Sequence, residues 1–166
     1  MSRANLAESL GYDKNDRLLI VNCDDLGSSH SANIASHRAL TDGFATSATL
    51  MVPCPWALEA VEMLDGFSIG VHLTLTSEYE GYRWRGLTGA ASLHDETGFL
   101  ARTTAAALSM IKPGDARAEC RAQIEAALSW GVDVTHLDAH MMVMQFRLIY
   151  MKSISIWPWN TIYLSG

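Results

Sequence analysis

Three short apolar or β-branched runs in this chain each lead into a side chain that can hold a cation, and this recurrence limits the folds available to it. The run Leu18-Leu19-Ile20-Val21 leads to Asp24 and Asp25, Ser68-Ile69-Gly70-Val71 ends at His72, and Val132-Asp133-Val134-Thr135-His136-Leu137 is followed closely by His140. Parallel α/β folds collect the carboxyl ends of their strands on one rim and place their chemistry there. One carboxylate and two imidazoles meeting on such a rim would hold a divalent metal and leave positions open for water and substrate.

The intervening segments support that architecture. A strand is predicted over 17–23, followed by a loop over 24–29 whose Gly27, Ser28 and Ser29 supply turn and cap chemistry. A helix over 31–41 stops at Gly43, and a strand over 44–52 is broken by Pro53 and Pro55. A short helix over 56–64 leads to a strand over 68–73. Residues 74–100 show no period, and so long a connection implies a lid, a binding loop or disorder. Asp115 is expected to cap a helix over 116–130, with an apolar stripe through Ala118, Cys120, Ala122, Ile124, Ala127 and Leu128 and a stop at Gly131. A strand over 132–137 follows. The alternation predicts an α/β fold with mostly parallel strands.

With 166 residues and 49% hydrophobic content, one core is expected, in a domain over 17–148. Residues 1–16 read as a polar extension and 149–166 as an atypical tail. From Met141 onward there is no Asp or Glu, where ordinary composition would place about three. The net charge of -6 argues against a nucleic-acid partner. No apolar stretch approaches the roughly 20 residues of a membrane span, and no signal-peptide core is evident. Cys23, Cys54 and Cys120 form no CxxC pair, which suits reduced thiols and a cytoplasmic location. Cys23 adjoins the acidic pair, but a small packed side chain is its default reading, ahead of a thiolate ligand.

Asp25, His72 and His140 are the expected metal ligands. Asp24, next to a ligand but on the other face by strand alternation, is placed to act as general base. His136, Asp138 and His140 are spaced by two, so Asp138 could orient a ligand imidazole from behind. Each residue also has a plainer reading: an Asp-Asp pair often only forms a turn and cap, and a lone histidine after a strand is often a satisfied core residue. Weight comes from the three occurring together. His30, His37 and His94 lie in loop or helical surroundings and read as solvated.

Four segments, in order, resemble the YdjC-like carbohydrate deacetylases (the ChbG/HpnK family). Ile20-Val21-Asn22-Cys23-Asp24-Asp25-Leu26-Gly27 is similar to that family's N-A-D-D-F-G signature. The stretches Gly43-Phe44-Ala45-Thr46-Ser47-Ala48-Thr49-Leu50-Met51-Val52, Gly70-Val71-His72-Leu73-Thr74-Leu75 and Thr135-His136-Leu137-Asp138-Ala139-His140-Met141 resemble its next three blocks. The likeness runs from about Arg17 to Gln145. It implies a distorted (β/α) barrel of polysaccharide-deacetylase type and hydrolysis of an acetamide on an amino sugar. It also implies one divalent ion, magnesium or zinc, on Asp25, His72 and His140, with Asp24 as base. Cys23 and Leu26 replace the family's alanine and phenylalanine, and Met142 and Met144 stand where many members have further histidines. Family members are longer, so an incomplete barrel is expected. An edge improvised by the tail, or a partner chain, could complete it, and open edges favour a homo-oligomer.

The expected function is therefore metal-dependent removal of an acetyl group from an N-acetylated amino sugar or oligosaccharide. The general acid is left open between His136 and a residue of later strands. Tyr79, Tyr82 and Trp84 could stack on a sugar ring, or pack the long loop onto the barrel. The rival expectation is an inactive fragment that keeps the metal and serves as a binding or interaction module. A phosphate-ester hydrolase is less favoured, because Lys and Arg are scarce near the motifs.

Overall fold

Strand pairing, rather than apolar character, decides where the first strand lies. In the computed structural model, which describes residues 6–146, β1 is Asn22–Leu26 and not the apolar run before it. It pairs in parallel with β2 (Ser47–Leu50), whose first partner position is Asn22↔Ser47. Residues 17–20 lie ahead of that register and join no strand among the described residues, and Leu19 and Ile20 are each 79% exposed. Val21 reaches the start of β2: its N–H donates to Thr46 Oγ1 at 3.1 Å and its carbonyl accepts from the N–H groups of Thr46 and Ser47 at 2.8 and 3.4 Å. The expected buried strand over 17–23 is thus displaced toward the carboxyl side, and Asp24 and Asp25 lie inside β1 rather than in the loop after it.

The sheet continues with β3 (Ile69–Leu73) and β4 (Val134–Ala139), all four strands parallel and in the order β1-β2-β3-β4. A doubly wound sheet reverses its strand order at a switch point, whereas sequential order is how the wall of a (β/α) barrel is laid down. The expected α/β, barrel-like architecture with parallel strands is present as a four-stranded wall. Alternate positions of that wall differ in character. Ala48, Leu50, Val71 and Leu73 enter the core, while hydrogen bonds link Asn22, Asp24, Ser47, Thr49, His72 and His136 across the other face.

Helices α1 (Leu6–Ser9), α2 (His30–Thr41) and α3 (Ala57–Met63) precede β3. Ser29 caps α2, its Oγ accepting from the Ala32 N–H at 3.1 Å. Helix α4 (Thr104–Met110) is not foreseen by periodicity, because seven residues span only two turns. Thr103 caps it through the Ala106 N–H. Helix α5 (Pro113–Ser129) begins three residues earlier than expected. Pro113 stands at its first turn, where a missing N–H costs nothing, and Asp115 is a first-turn acid that accepts from Ser92 Oγ at 2.6 Å rather than the cap. Residues 147–166, including the expected tail over 149–166, lie outside the described residues.

The buried face of α5 is Ala116, Glu119, Cys120, Gln123, Ile124 and Ala127, so the stripe expected through Ala118 and Leu128 is rotated and includes two polar residues. Their partners explain the rotation. Glu119 accepts from the N–H groups of Leu87 and Thr88 (2.9 and 2.8 Å), from Thr88 Oγ1 (2.7 Å) and from Gln123 Nε2 (2.9 Å). Gln123 in turn accepts from the Thr74 N–H (2.9 Å) and donates to its carbonyl (2.8 Å). One turn of α5 therefore ties down both the end of β3 and the middle of the 74–100 connection. That connection is ordered, with bridges Thr76↔Ala101 and His94↔Leu100 and with Leu75, Trp84, Leu93 and Leu100 buried.

Glu119→Ala would leave four donors, one buried and three part-buried, without this acceptor, at up to about 1–3 kcal/mol each before relaxation and solvent access. A loss of about 3–5 kcal/mol is expected in urea unfolding, with new protease cleavage near residues 86–89. A midpoint unchanged from wild type would show that the connection is held elsewhere.

Candidate metal centre

Backbone strain marks the place. Among the described residues three non-glycine residues have positive φ: Asp25 (61°), Met141 (52°) and Met142 (56°). All three line one open cavity of about 400 Å³ at the carboxyl rim of the sheet, together with Asp24, His72 and His140. Left-handed backbone at a residue with a side chain costs of order 1–2 kcal/mol and persists where the surroundings impose it.

At Asp25 the strain has a clear consequence. Strand alternation would send Asp24 and Asp25 to opposite faces, as expected from sequence. The left-handed turn at Asp25, with the register shift between Cys23 and Leu26, brings both carboxylates to the same cavity. Cys23 does not line the cavity. Burial raises its thiol pKa, and the Asp24 charge adds to that.

The three expected ligands converge. Asp25 Oδ1 lies 3.4 Å from His72 Nε2 and 3.0 Å from His140 Nδ1, and each of the three residues offers one donor atom within 4.8 Å of the others. Bonds of about 2.0–2.2 Å put ligand atoms roughly 3–4 Å apart around one ion, so this donor set fits a divalent cation. Both imidazoles are buried, while Asp25 is open to the cavity. Hydrogen bonds from His140 and then His72 hold the Asp25 carboxyl well below the usual range, against the effect of burial.

A second group, Asp24, His72 and Asp138, also has its donor atoms close together. It shares His72, and a neutral imidazole has a single lone pair. His72 Nδ1 lies 3.3 Å from both Asp138 Oδ2 and Thr49 Oγ1. Carboxylates, which only accept, face both ring nitrogens; with an ion on Nε2 beside Asp25, the ring's one proton would sit on Nδ1, where Asp138 and Thr49 can accept it. The geometry thus supports the first group as the cradle, with Asp138 behind His72.

Sequence reasoning misses the rest of the network. Asn22 Nδ2 donates to Asp24 Oδ1 at 2.7 Å and to Thr49 Oγ1 at 2.9 Å, and Asn22 Oδ1 accepts from Ser47 Oγ at 2.7 Å. Glu78, from the aperiodic connection, meets His140 Nε2 at 2.6 Å. The one signal for it is alternation running past β3: apolar at 71, 73 and 75, polar at 72, 74, 76 and 78.

Other expectations shift. His136 is not on the rim. It sits two residues earlier on β4, bonded to Asn22 Oδ1 (3.2 Å) and Thr135 Oγ1 (2.8 Å), its ring against Gly70, where a Cβ would come within 2.7 Å of it. Burial pushes its pKa down, with Asp138 opposing. Trp84 cannot stack on a sugar: it is 2% exposed, donates Nε1–H to the Thr76 carbonyl at 2.8 Å, and supports Tyr79 and Tyr82 edge-on at 5.6 and 6.2 Å. Those two tyrosines are exposed. Nor is His94 solvated, since it accepts from the Gly86 N–H through Nε2. His30 is paired with Glu59 at 2.8 Å.

Burial opposes a charge on His140, yet hydrogen bonds to Asp25 and Glu78 outweigh it and push its pKa up to about 9. Because this lies above the ordinary 6.5, the bound proton stabilises the chelator-treated protein fully below about pH 6.5, and that contribution is lost as pH rises through about 9. A cation must displace the proton, so its apparent affinity should rise roughly tenfold per pH unit and level off near 9. Thermal scans in EDTA and ion titrations between pH 6 and 10 should therefore show opposite slopes. Parallel slopes would mean the proton and the ion do not compete.

A parallel sheet with a carboxylate-imidazole cradle at its carboxyl rim defines a barrel-type α/β protein with a candidate cation site. The chain belongs to the YdjC-like protein family, whose sequence model matches residues 18–157. It is 39% identical over 136 residues to a carbohydrate deacetylase of Thermus thermophilus, covering 82% of this chain and 48% of that protein. It is 35% identical over 127 residues to a carbohydrate deacetylase of Geobacillus stearothermophilus, covering 75% and 49%. A solved structure from Enterococcus faecalis V583, described as a candidate cellobiose-phosphate cleavage protein, superposes with a TM-score of 0.74 at 26% identity, covering 81% of this chain and 52% of that one. The chain spans about half the length of the curated relatives it matches.

Proposed function

We propose that this chain carries the ion-binding half of a metal-dependent carbohydrate deacetylase, a hydrolase that removes an acetyl group from an N-acetylated amino sugar or oligosaccharide. The observation that carries this reading is the meeting of Asp25, His72 and His140 in one cavity that Asp24 also lines. A divalent ion held by those three side chains would polarise the acetyl carbonyl and acidify a water.

The chain's own residues supply the remaining functions. Asn22 and Thr49 donate to Asp24 Oδ1, leaving Oδ2 to take the proton of an attacking water. Asp138 and Thr49 hold the His72 ring in the tautomer that presents Nε2. Tyr79 and Tyr82, exposed above the buried Trp84, offer ring faces to a sugar. The general acid that protonates the leaving amine is assigned to a residue outside the cavity wall described above, because His136 is held one layer below it.

The test is acetate release from N-acetylated amino sugars and short oligosaccharides, with magnesium, zinc or manganese added after EDTA treatment. Acetate release restored by one ion supports the proposal. Ion uptake without acetate release favours the second reading, a binding or interaction module that keeps the cradle without turnover. Phosphate release from model esters would overturn both; no Lys or Arg lines the cavity among the described residues. No helix among the described residues is long and apolar enough to cross a membrane. The outer edges of β1 and β4 pair with no strand among the described residues, which suits a homo-oligomer or a complementary chain.

A further inference from the structure

Both candidate imidazoles have a carboxylate at each ring nitrogen, and the pair on His140 is the closer. Asp25 Oδ1 stands 3.0 Å from Nδ1 and Glu78 Oε1 stands 2.6 Å from Nε2. Glu78 comes from the connection after β3, on the opposite side of the ring from the cavity, and it does not line that cavity. Its second oxygen, Oε2, is buried with no hydrogen-bond partner among the described residues. A buried carboxylate oxygen left unpaired is costly. Glu78 is nevertheless held in place, because Leu75 and Trp84 on either side are buried and Trp84 donates to the Thr76 carbonyl.

We propose that Glu78 is the positioning residue for His140: it takes the Nε2–H, so that Nδ1 alone is presented beside Asp25. This rests on the metal-site reading above and extends it. Carboxylates that cannot donate face both nitrogens, so with an ion on Nδ1 the ring's one proton would sit on Nε2, where Glu78 accepts it. Glu78 would serve His140 as Asp138 serves His72, the two acids bracing the two imidazoles from behind. The two braces differ in origin. Asp138 comes with the sheet, whereas Glu78 is delivered by the connection that Glu119 and Gln123 pin to α5. Ion affinity at His140 is thereby coupled to the order of that connection.

The test compares wild type with Glu78→Gln, Glu78→Ala and Glu78→Asp, titrating zinc by calorimetry and recording ¹⁵N spectra of the histidine rings with zinc bound. Glu78→Ala should weaken zinc by about 10–100-fold and let the His140 ring populate both nitrogens. Glu78→Gln removes the charge but keeps an acceptor at Oε1, and should recover most of the affinity and the single Nδ1-bound form. Glu78→Asp keeps the charge but withdraws the oxygen by one methylene, and should resemble alanine; it also serves if Glu78→Ala fails to fold. Equal affinity and identical spectra in wild type, Glu78→Ala and Glu78→Asp would overturn the role of Glu78 while leaving the metal site intact. Glu78→Gln losing as much as alanine would overturn it in favour of a bare charge effect. Wild type that takes up no zinc would overturn the metal site, and this proposal with it.

Discussion

Asp25→Asn should abolish stoichiometric uptake of a divalent ion, a loss greater than the roughly 100-fold typical of disturbing an outer partner. Asparagine is the informative replacement because it tolerates the left-handed backbone that Asp25 adopts at φ 61°, whereas alanine would add strain of its own. The effect is large because Asp25 is the only carboxylate in the cradle and lies between the two imidazoles, 3.4 and 3.0 Å from their facing nitrogens. His72→Ala should have the same outcome. Calorimetric titration and elemental analysis of dialysed protein measure it, with far-UV circular dichroism to confirm folding. Full uptake by Asp25→Asn would remove the cradle as the ion site.

The second large effect separates binding from turnover. Asp24→Asn should keep ion uptake within a few-fold and lower acetate release by about 10²–10⁴, the usual contribution of a positioned base. Asn22 and Thr49 would still hold the new amide through its oxygen, so the geometry is retained while the proton acceptor is removed. Asp138→Asn is the contrasting variant: it acts through His72, so ion affinity should fall along with rate. If Asp24→Asn retained the full rate, another group would have to take the proton.

Much of this site is legible one residue at a time. His72 and His140 stand at the ends of apolar runs, and the strand ends of a parallel sheet share a rim, so their convergence follows from local pattern. Glu78 is harder to see because it sits in a connection whose course is set by contacts 31 and 32 residues away, through Glu119 to Leu87 and Thr88. Glu119 and Gln123 mislead a stripe drawn by hydrophobicity alone. Each is buried by hydrogen bonds to distant backbone, which local pattern cannot register.

What the residues determined on their own was the parallel α/β frame, the rim, and the kinds of donor placed there, because period-two and helical patterns act over a few neighbours. Pairing with β2 set where β1 begins, and the left-handed turn at Asp25 brought both acids to one side. The spacing marked Asp138 as a residue behind an imidazole, but its meeting with His72 and that of Glu78 with His140 depend on register and buried hydrogen bonds to partners far away along the chain.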